Sequence, residues 1–183
     1  MKQHLIFLVG LLWIWSCQEP TPRKPIHQSK DIALRTSVER NKKIIQSQQK
    51  LIRQAIRKDS SYQFESAPAG YWYTKINTTT GPTPIAGDEV TFTFEIQTLA
   101  GAIIYPQEEL GTINYLVDKE ELLPALRYAI KNLRENEKGI FLMPSYLGYG
   151  YQGDGEKIGI NQPLRLRVEL MHIHKNKATL ESK

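Results

Sequence analysis

Residues 144–164 read PSYLGYGYQGDGEKIGINQPL, three tyrosines among five glycines, closing on Ile158, Ile160 and Pro163. Chemistry is to be sought here first. Tyr149 stands between Gly148 and Gly150, which keep the loop exposed, so the tyrosine is hard to explain as a core residue. A phosphate loop needs Gly-Lys followed by Ser or Thr, whereas Gly155 here precedes Glu156, Lys157 and Ile158. A calcium loop alternates acids and closes on a glutamate; Asp154 and Glu156 alone do not build one. Base stacking on tyrosines works beside a basic groove, and this loop carries a single lysine, so no nucleic-acid partner is expected. His172 and His174 share a strand face without a third ligand near them. Ser145 lacks the strand–turn–helix setting of a nucleophile. No metal and no cofactor are implied. What remains is a hydrophobic cup.

The elements that must position these residues follow from hydrophobic period. EVTFTFEI alternates, with Val90, Phe92, Phe94 and Ile96 on one face and Thr91, Thr93 and Glu95 on the other. LRLRVELMHI does the same, Leu164, Leu166, Val168 and Leu170 opposing Arg165, Arg167 and Glu169. YWYTKI, TINYLV and IFLM read as further strands, GPTPIAGD as turn chemistry, and LAGAII as a hairpin around Gly101 followed by a short loop. LLPALRYAIKNL is the helical stretch of this half: Pro124 suits the first helical position, and Leu126, Ile130 and Leu133 share a face. One short helix among half-buried strands predicts an α+β domain, an antiparallel sheet wrapped around that helix.

Ahead of this domain the composition changes twice. Residues 1–17 begin with Lys2, continue with an eleven-residue apolar run from Leu5 to Trp15, and end at Cys17, the only cysteine. A run so short is a secretory leader rather than a membrane span, which takes about 20 residues. Residues 18–30 hold three prolines and no apolar period, a stiff tether. Residues 31–60 form a basic helix, N-capped near Asp31: free of Gly and Pro, it carries apolar residues at 38, 45, 52 and 56, interrupted by Asn41 and Gln48. Between 31 and 59 eight Lys and Arg face three acids, which accounts for the net charge of +5. Three placements are open: the helix pairs with itself over 31–58, lies on the domain, or lies along anionic membrane. Its thin stripe predicts that it folds apart from the sheet. Residues 175–183 are a tail.

The order GDEVTFTFEI, LLPALRYAIKNLRENEKGIFLMP, YGYQG and LRLRVELMHI resembles the FKBP-type peptidyl-prolyl isomerases over residues 69–174. More narrowly, SVERNKKII, PQEELG, YGYQGD and KIGINQPL look like the gliding-motility-associated isomerase lipoproteins of gliding bacteria. IWSC resembles the bacterial lipobox, with bulky Trp15 where a small residue is usual; this implies lipidation at Cys17 and an anchor of two acyl chains, enough for stable attachment. Gln18 fits sorting to the outer membrane, the protein facing the periplasm.

The resemblance implies an FKBP-like fold and assigns roles by position. Tyr149 matches the tyrosine whose hydroxyl meets a substrate carbonyl. Phe94 matches a pocket tyrosine that has lost its hydroxyl, Ile104 and Ile113 match aromatic wall positions, and Tyr105 falls where the family has an aspartate. Glu121, Leu122 and Leu123 match the segment whose backbone holds the peptide. Leu126 replaces a tryptophan floor, and Ile158 and Leu166 complete the apolar set. Two functional readings are implied: a lipid-anchored isomerase acting on proline-containing exported polypeptides, its activity lowered by the departures, and a non-catalytic chaperone or module using the cup as a peptide socket.

Overall fold

The computed structural model describes residues 28–176. The leader, Cys17, residues 18–27 of the tether and residues 177–183 of the tail lie outside them. The described residues divide into two units, the break falling between Val38 and Glu39. Helix α1 runs Gln28–Lys58, three residues earlier than Asp31. Pro25 is the last proline of the tether, and nothing after it forbids helix. In the first unit Leu34 and Val38 are exposed. No described helix is long and apolar enough to cross a membrane.

The second unit is built on an antiparallel sheet of β1 (Glu65–Ser66), β2 (Trp72–Lys75), β3 (Glu89–Gln97), β4 (Ile103–Tyr105), β5 (Thr112–Leu116), β6 (Glu137–Met143) and β7 (Leu164–His174). The order is β1-β2-β6-β7-β3-β4, and β5 also pairs with β3. β4 and β5 thus share one edge of β3. The loop expected between them contains a single helical turn, α2 (Gln107–Leu110), which starts after Pro106 and ends at Gly111. The β3–β4 hairpin closes through Thr98 N–H to Ala102 O (2.8 Å), with Gly101 at φ 89°. That positive φ suits glycine.

α3 (Pro124–Asn132) has its proline at the start of the helix and lies against the inner sheet face. Ala125, Leu126, Ala129, Ile130 and Leu133 meet Val90, Phe92, Phe94 and Ile96 of β3 and Leu164, Leu166, Val168 and Leu170 of β7 in one core. The registers Phe94↔Val168 and Ile96↔Leu166 put the two alternating strands side by side with their apolar residues on the same face.

The outer face is not left to water, and here the structure departs from the sequence reading. The C-terminal half of α1 packs on it, Ile52 fully buried against Ile140 and Leu142 of β6, with Ile56, Tyr62, Phe64 and Trp72 around them. The helix lies on the domain over this stretch rather than folding apart. Gln48, which interrupts the apolar stripe in the sequence, is itself buried. A buried amide is tolerated because its hydrogen bonds are made within the protein.

Candidate active site

The residues expected to line the cup come from seven places in the chain, and all but one converge. Phe94 (β3), Leu126 (α3) and Leu166 (β7) are buried and form a floor. Ile104 and Tyr105 (β4), Ile113 (β5), Leu122 and Leu123 (the lead into α3) and Tyr149 pack against it as partly exposed walls. Ile158 comes from the loop into the same core and is 3% exposed. Glu121 is exposed and outside the cluster; the part the resemblance gives it is a main-chain one.

The tyrosine–glycine loop follows a 3-10 turn, Ser145–Leu147, and is braced internally. Gly150 N–H donates to Ser145 O (2.8 Å), and Asn161 N–H donates to Gly150 O (2.7 Å). Asp154 is the hub: its Oδ1 accepts from Glu156 N–H (2.9 Å) and Ile158 N–H (2.8 Å). Its Oδ2 accepts from the Tyr105 hydroxyl (2.5 Å). Gly153 sits at φ 70°, where a Cβ would strike the Ile158 carbonyl oxygen. A glycine is required there by space as well as by φ.

Tyr105, standing where the resemblance expects an aspartate, therefore meets an aspartate coming from the tyrosine–glycine loop. Lys157 Nζ lies 4.3 Å from the centre of the Tyr105 ring and pairs with Glu109 of α2 (2.8 Å). The loop is thereby tied to the β4–α2 edge by one hydrogen bond, one cation–π contact and one ion pair. The hydrogen bond to Asp154 pushes the Tyr105 hydroxyl up to about 12. Burial raises the Asp154 carboxyl, but the bonds from Tyr105, Glu156 and Ile158 outweigh it and hold the group below the usual carboxylate value. Tyr149 is raised, first by burial and then by the Asp154 charge, so its hydroxyl stays protonated and available as a donor.

Sequence reasoning missed Asp154, Lys157 and Glu109 as site-bracing residues. Gly-Asp-Gly reads as a turn, and nothing local says which strand an aspartate side chain will reach. Among the described residues no group of three or more His, Cys, Asp or Glu could hold a metal ion. His172, near the C-terminal end of β7, has its Nδ1 3.8 Å from Glu135 Oε1.

These contacts make a prediction. Asp154→Asn should return the Tyr105 titration toward about 10, the ordinary phenol value, and speed amide exchange at Glu156 and Ile158. Because the folded pKa of Asp154 is lowered, its bracing is present above the unfolded carboxylate pKa and fades as pH falls through the folded one. Tyrosinate absorbance followed to high pH checks the first part; an unchanged titration would mean that Asp154 does not govern Tyr105.

Residues 81–171 match the family model of FKBP-type peptidyl-prolyl cis-trans isomerases. Among solved structures the chain is similar to a peptidyl-prolyl cis-trans isomerase from Pseudomonas syringae pv. tomato, with a TM-score of 0.57 and 21% identity over 71% of this chain and 96% of that one. It is similar to FkpA from Escherichia coli, with a TM-score of 0.58 and 18% identity over 95% of this chain and 82% of that one. The N-terminal domain of FKBP42 from Arabidopsis thaliana gives a TM-score of 0.55 at 16% identity, over 62% of this chain and 93% of that one. No curated protein matches the chain. At these identities the solved structures show a shared fold, and the family model adds which fold family it is: residues 81–171 are an FKBP-type peptidyl-prolyl cis-trans isomerase domain.

Proposed function

We propose that the domain accelerates cis–trans exchange of X–Pro bonds in extended polypeptide segments of exported proteins, working in the bacterial envelope from a lipid anchor at Cys17. The observation that carries the catalytic part is that Tyr149, its hydroxyl protonated, packs partly exposed against the apolar core that holds Phe94, Leu126 and Leu166. Rotation about a peptide bond meets a barrier of about 18–20 kcal/mol that comes from amide resonance. Twisting breaks the resonance and makes the carbonyl less dipolar. An apolar surface therefore disfavours the planar ground state relative to the twisted one, which is differential binding of the transition state. The Tyr149 hydroxyl orients the carbonyl as it turns. No nucleophile is needed.

The experiment is X–Pro exchange in a short peptide with and without the protein. Tyr149→Phe should lower kcat/KM by no more than about tenfold, since a neutral hydrogen bond contributes about 0.5–1.5 kcal/mol. Its unfolding midpoint should stay within about 0.5 kcal/mol of wild type. A wild-type protein that leaves exchange at its uncatalysed rate sinks the catalytic reading.

A second reading is favoured by Phe94 and Tyr105. Phe94 carries no hydroxyl, and the Tyr105 hydroxyl is committed to Asp154, so the site has less polar orientation than a floor and walls of this kind could hold. A module that binds proline peptides without turning them over fits this; retained peptide binding with no acceleration selects it. The anchor and the envelope location rest on IWSC and the apolar run before it. Cys17→Ser should release the protein from the membrane fraction, and a variant that stays there would refute the anchor.

A further inference from the structure

We propose that Gln48 of helix α1 is a positioning residue for Tyr149, setting the loop geometry of the isomerase site from the opposite face of the sheet; the proposal rests on the catalytic reading above. Tyr149 has Gly148 before it and Gly150 after it. Glycines leave the local backbone free, so the direction of the tyrosine depends on the bonds that hold the loop, one of them from Gly153 N–H to the Tyr149 carbonyl (3.2 Å). The peptide groups of Gly150 are held on both sides, its N–H by Ser145 O (2.8 Å) and its carbonyl by Asn161 N–H (2.7 Å).

Ser145 and Asn161 are the two residues that Gln48 grips. Gln48 Nε2 donates to Ser145 Oγ (2.8 Å) and to Asn161 O (2.9 Å). Its Oε1 accepts from Ser145 N–H (2.8 Å). One side-chain amide thus joins the first and last turns of the loop, and both then hold the residue next to Tyr149. The amide is 3% exposed, so water offers no ready substitute for these bonds. Packing of the helix alone does not need this. Ile52, one turn further on, supplies the apolar contact with Ile140 and Leu142 without a bond to the loop.

The test uses the full chain and X–Pro exchange in a short peptide, below the unfolding temperature of every variant. Gln48→Leu should lower kcat about three- to tenfold with KM little changed, each lost hydrogen bond being worth a factor of that order. Amide exchange at Gly150 and Asn161 should rise. Because Gln48 acts through Tyr149, adding Gln48→Leu to Tyr149→Phe should cost little more than Tyr149→Phe alone. Ile52→Ala should lower stability while leaving kcat and the loop's exchange unchanged. Ser145→Ala, which removes one of the three bonds, should give a smaller loss in the same direction and serves if Gln48→Leu does not fold.

Multiplicative losses in the double variant, unchanged kcat and loop exchange in Gln48→Leu, or an equal kcat loss in Ile52→Ala overturn the proposal. If wild type shows no acceleration, the catalytic reading fails and the positioning role with it. Loop exchange in Gln48→Leu then still decides whether the amide holds the loop: faster exchange upholds the staple, and unchanged exchange removes it too.

Discussion

Glu137→Ala is expected to destabilise the domain by about 3–5 kcal/mol, the loss typical of removing one partner from a buried ion pair. The Glu137 side chain is fully buried at the start of β6. Its Oε2 accepts from Lys75 Nζ (2.7 Å) and Arg134 N–H (2.9 Å), and its Oε1 from Thr79 N–H (2.9 Å). The Arg134 guanidinium stands 3.6 Å away. One carboxylate therefore ties the end of β2, the segment after it and the turn leaving α3 to the first residue of β6. Alanine leaves an ammonium and two N–H groups without their acceptor, which costs more than the bonds themselves contributed. Urea midpoints measure the loss; a midpoint within about 0.5 kcal/mol of wild type would show that water replaces the carboxylate freely.

The same group sets the response to acid. Burial alone would raise the Glu137 carboxyl, but the bonds from Lys75, Thr79 and Arg134 hold it below its ordinary value. A lowered folded pKa means stability that is fully present above the unfolded pKa and lost as pH falls through the folded one. Wild type should therefore lose stability below about pH 4.5, where an unfolded glutamate takes up its proton. The slope should be shallower in Glu137→Gln. Asp88 adds to the wild-type slope in the same sense: burial raises it, and the bonds from Ile85 N–H (2.9 Å) and Lys175 (2.6 Å) lower it by more.

The second large effect is expected from the N-terminal side. A chain beginning at Ser66 should lose most of its stability. Its unfolding transition should move to much lower urea or disappear. The truncation uncovers Ile140 and Leu142 and removes Ile52, Ile56, Tyr62 and Phe64 from them. At about 1.5–3 kcal/mol for each fully buried large side chain, this approaches the 5–15 kcal/mol that holds an ordinary domain together. Polar ties go with it: Gln49 Nε2 to Gly70 O (2.6 Å) and Asp59 to Arg165 (2.8 Å, both largely buried). An unchanged midpoint would mean that α1 is an appendage after all. Ile52→Ala, at about 2–5 kcal/mol, reads the apolar contact alone.

What the sequence determined by itself is the inner face of the domain. Val90, Phe92, Phe94 and Ile96 alternate with polar residues, as do Leu164, Leu166, Val168 and Leu170, and a period of two states which side is buried whatever the partner. Pro124 marked the start of α3 because a proline has no N–H to lose there. The order of these pieces carried the likeness that makes Tyr149 a candidate site residue. What only the tertiary structure decided are the polar residues. Gln48 read as a break in an apolar stripe, Asp154 as one of two acids too few for a calcium loop, and Tyr105 as a departure, while Glu137 carried no signal of its own. Each is explained by a partner far along the chain: Gln48 by Ser145 and Asn161, Asp154 by Tyr105, Glu137 by Lys75. Hydrophobic burial is non-directional and shows in a residue's own neighbours in sequence. A buried polar group is stable only when a donor or acceptor meets it at hydrogen-bonding distance, and that meeting is made by the fold.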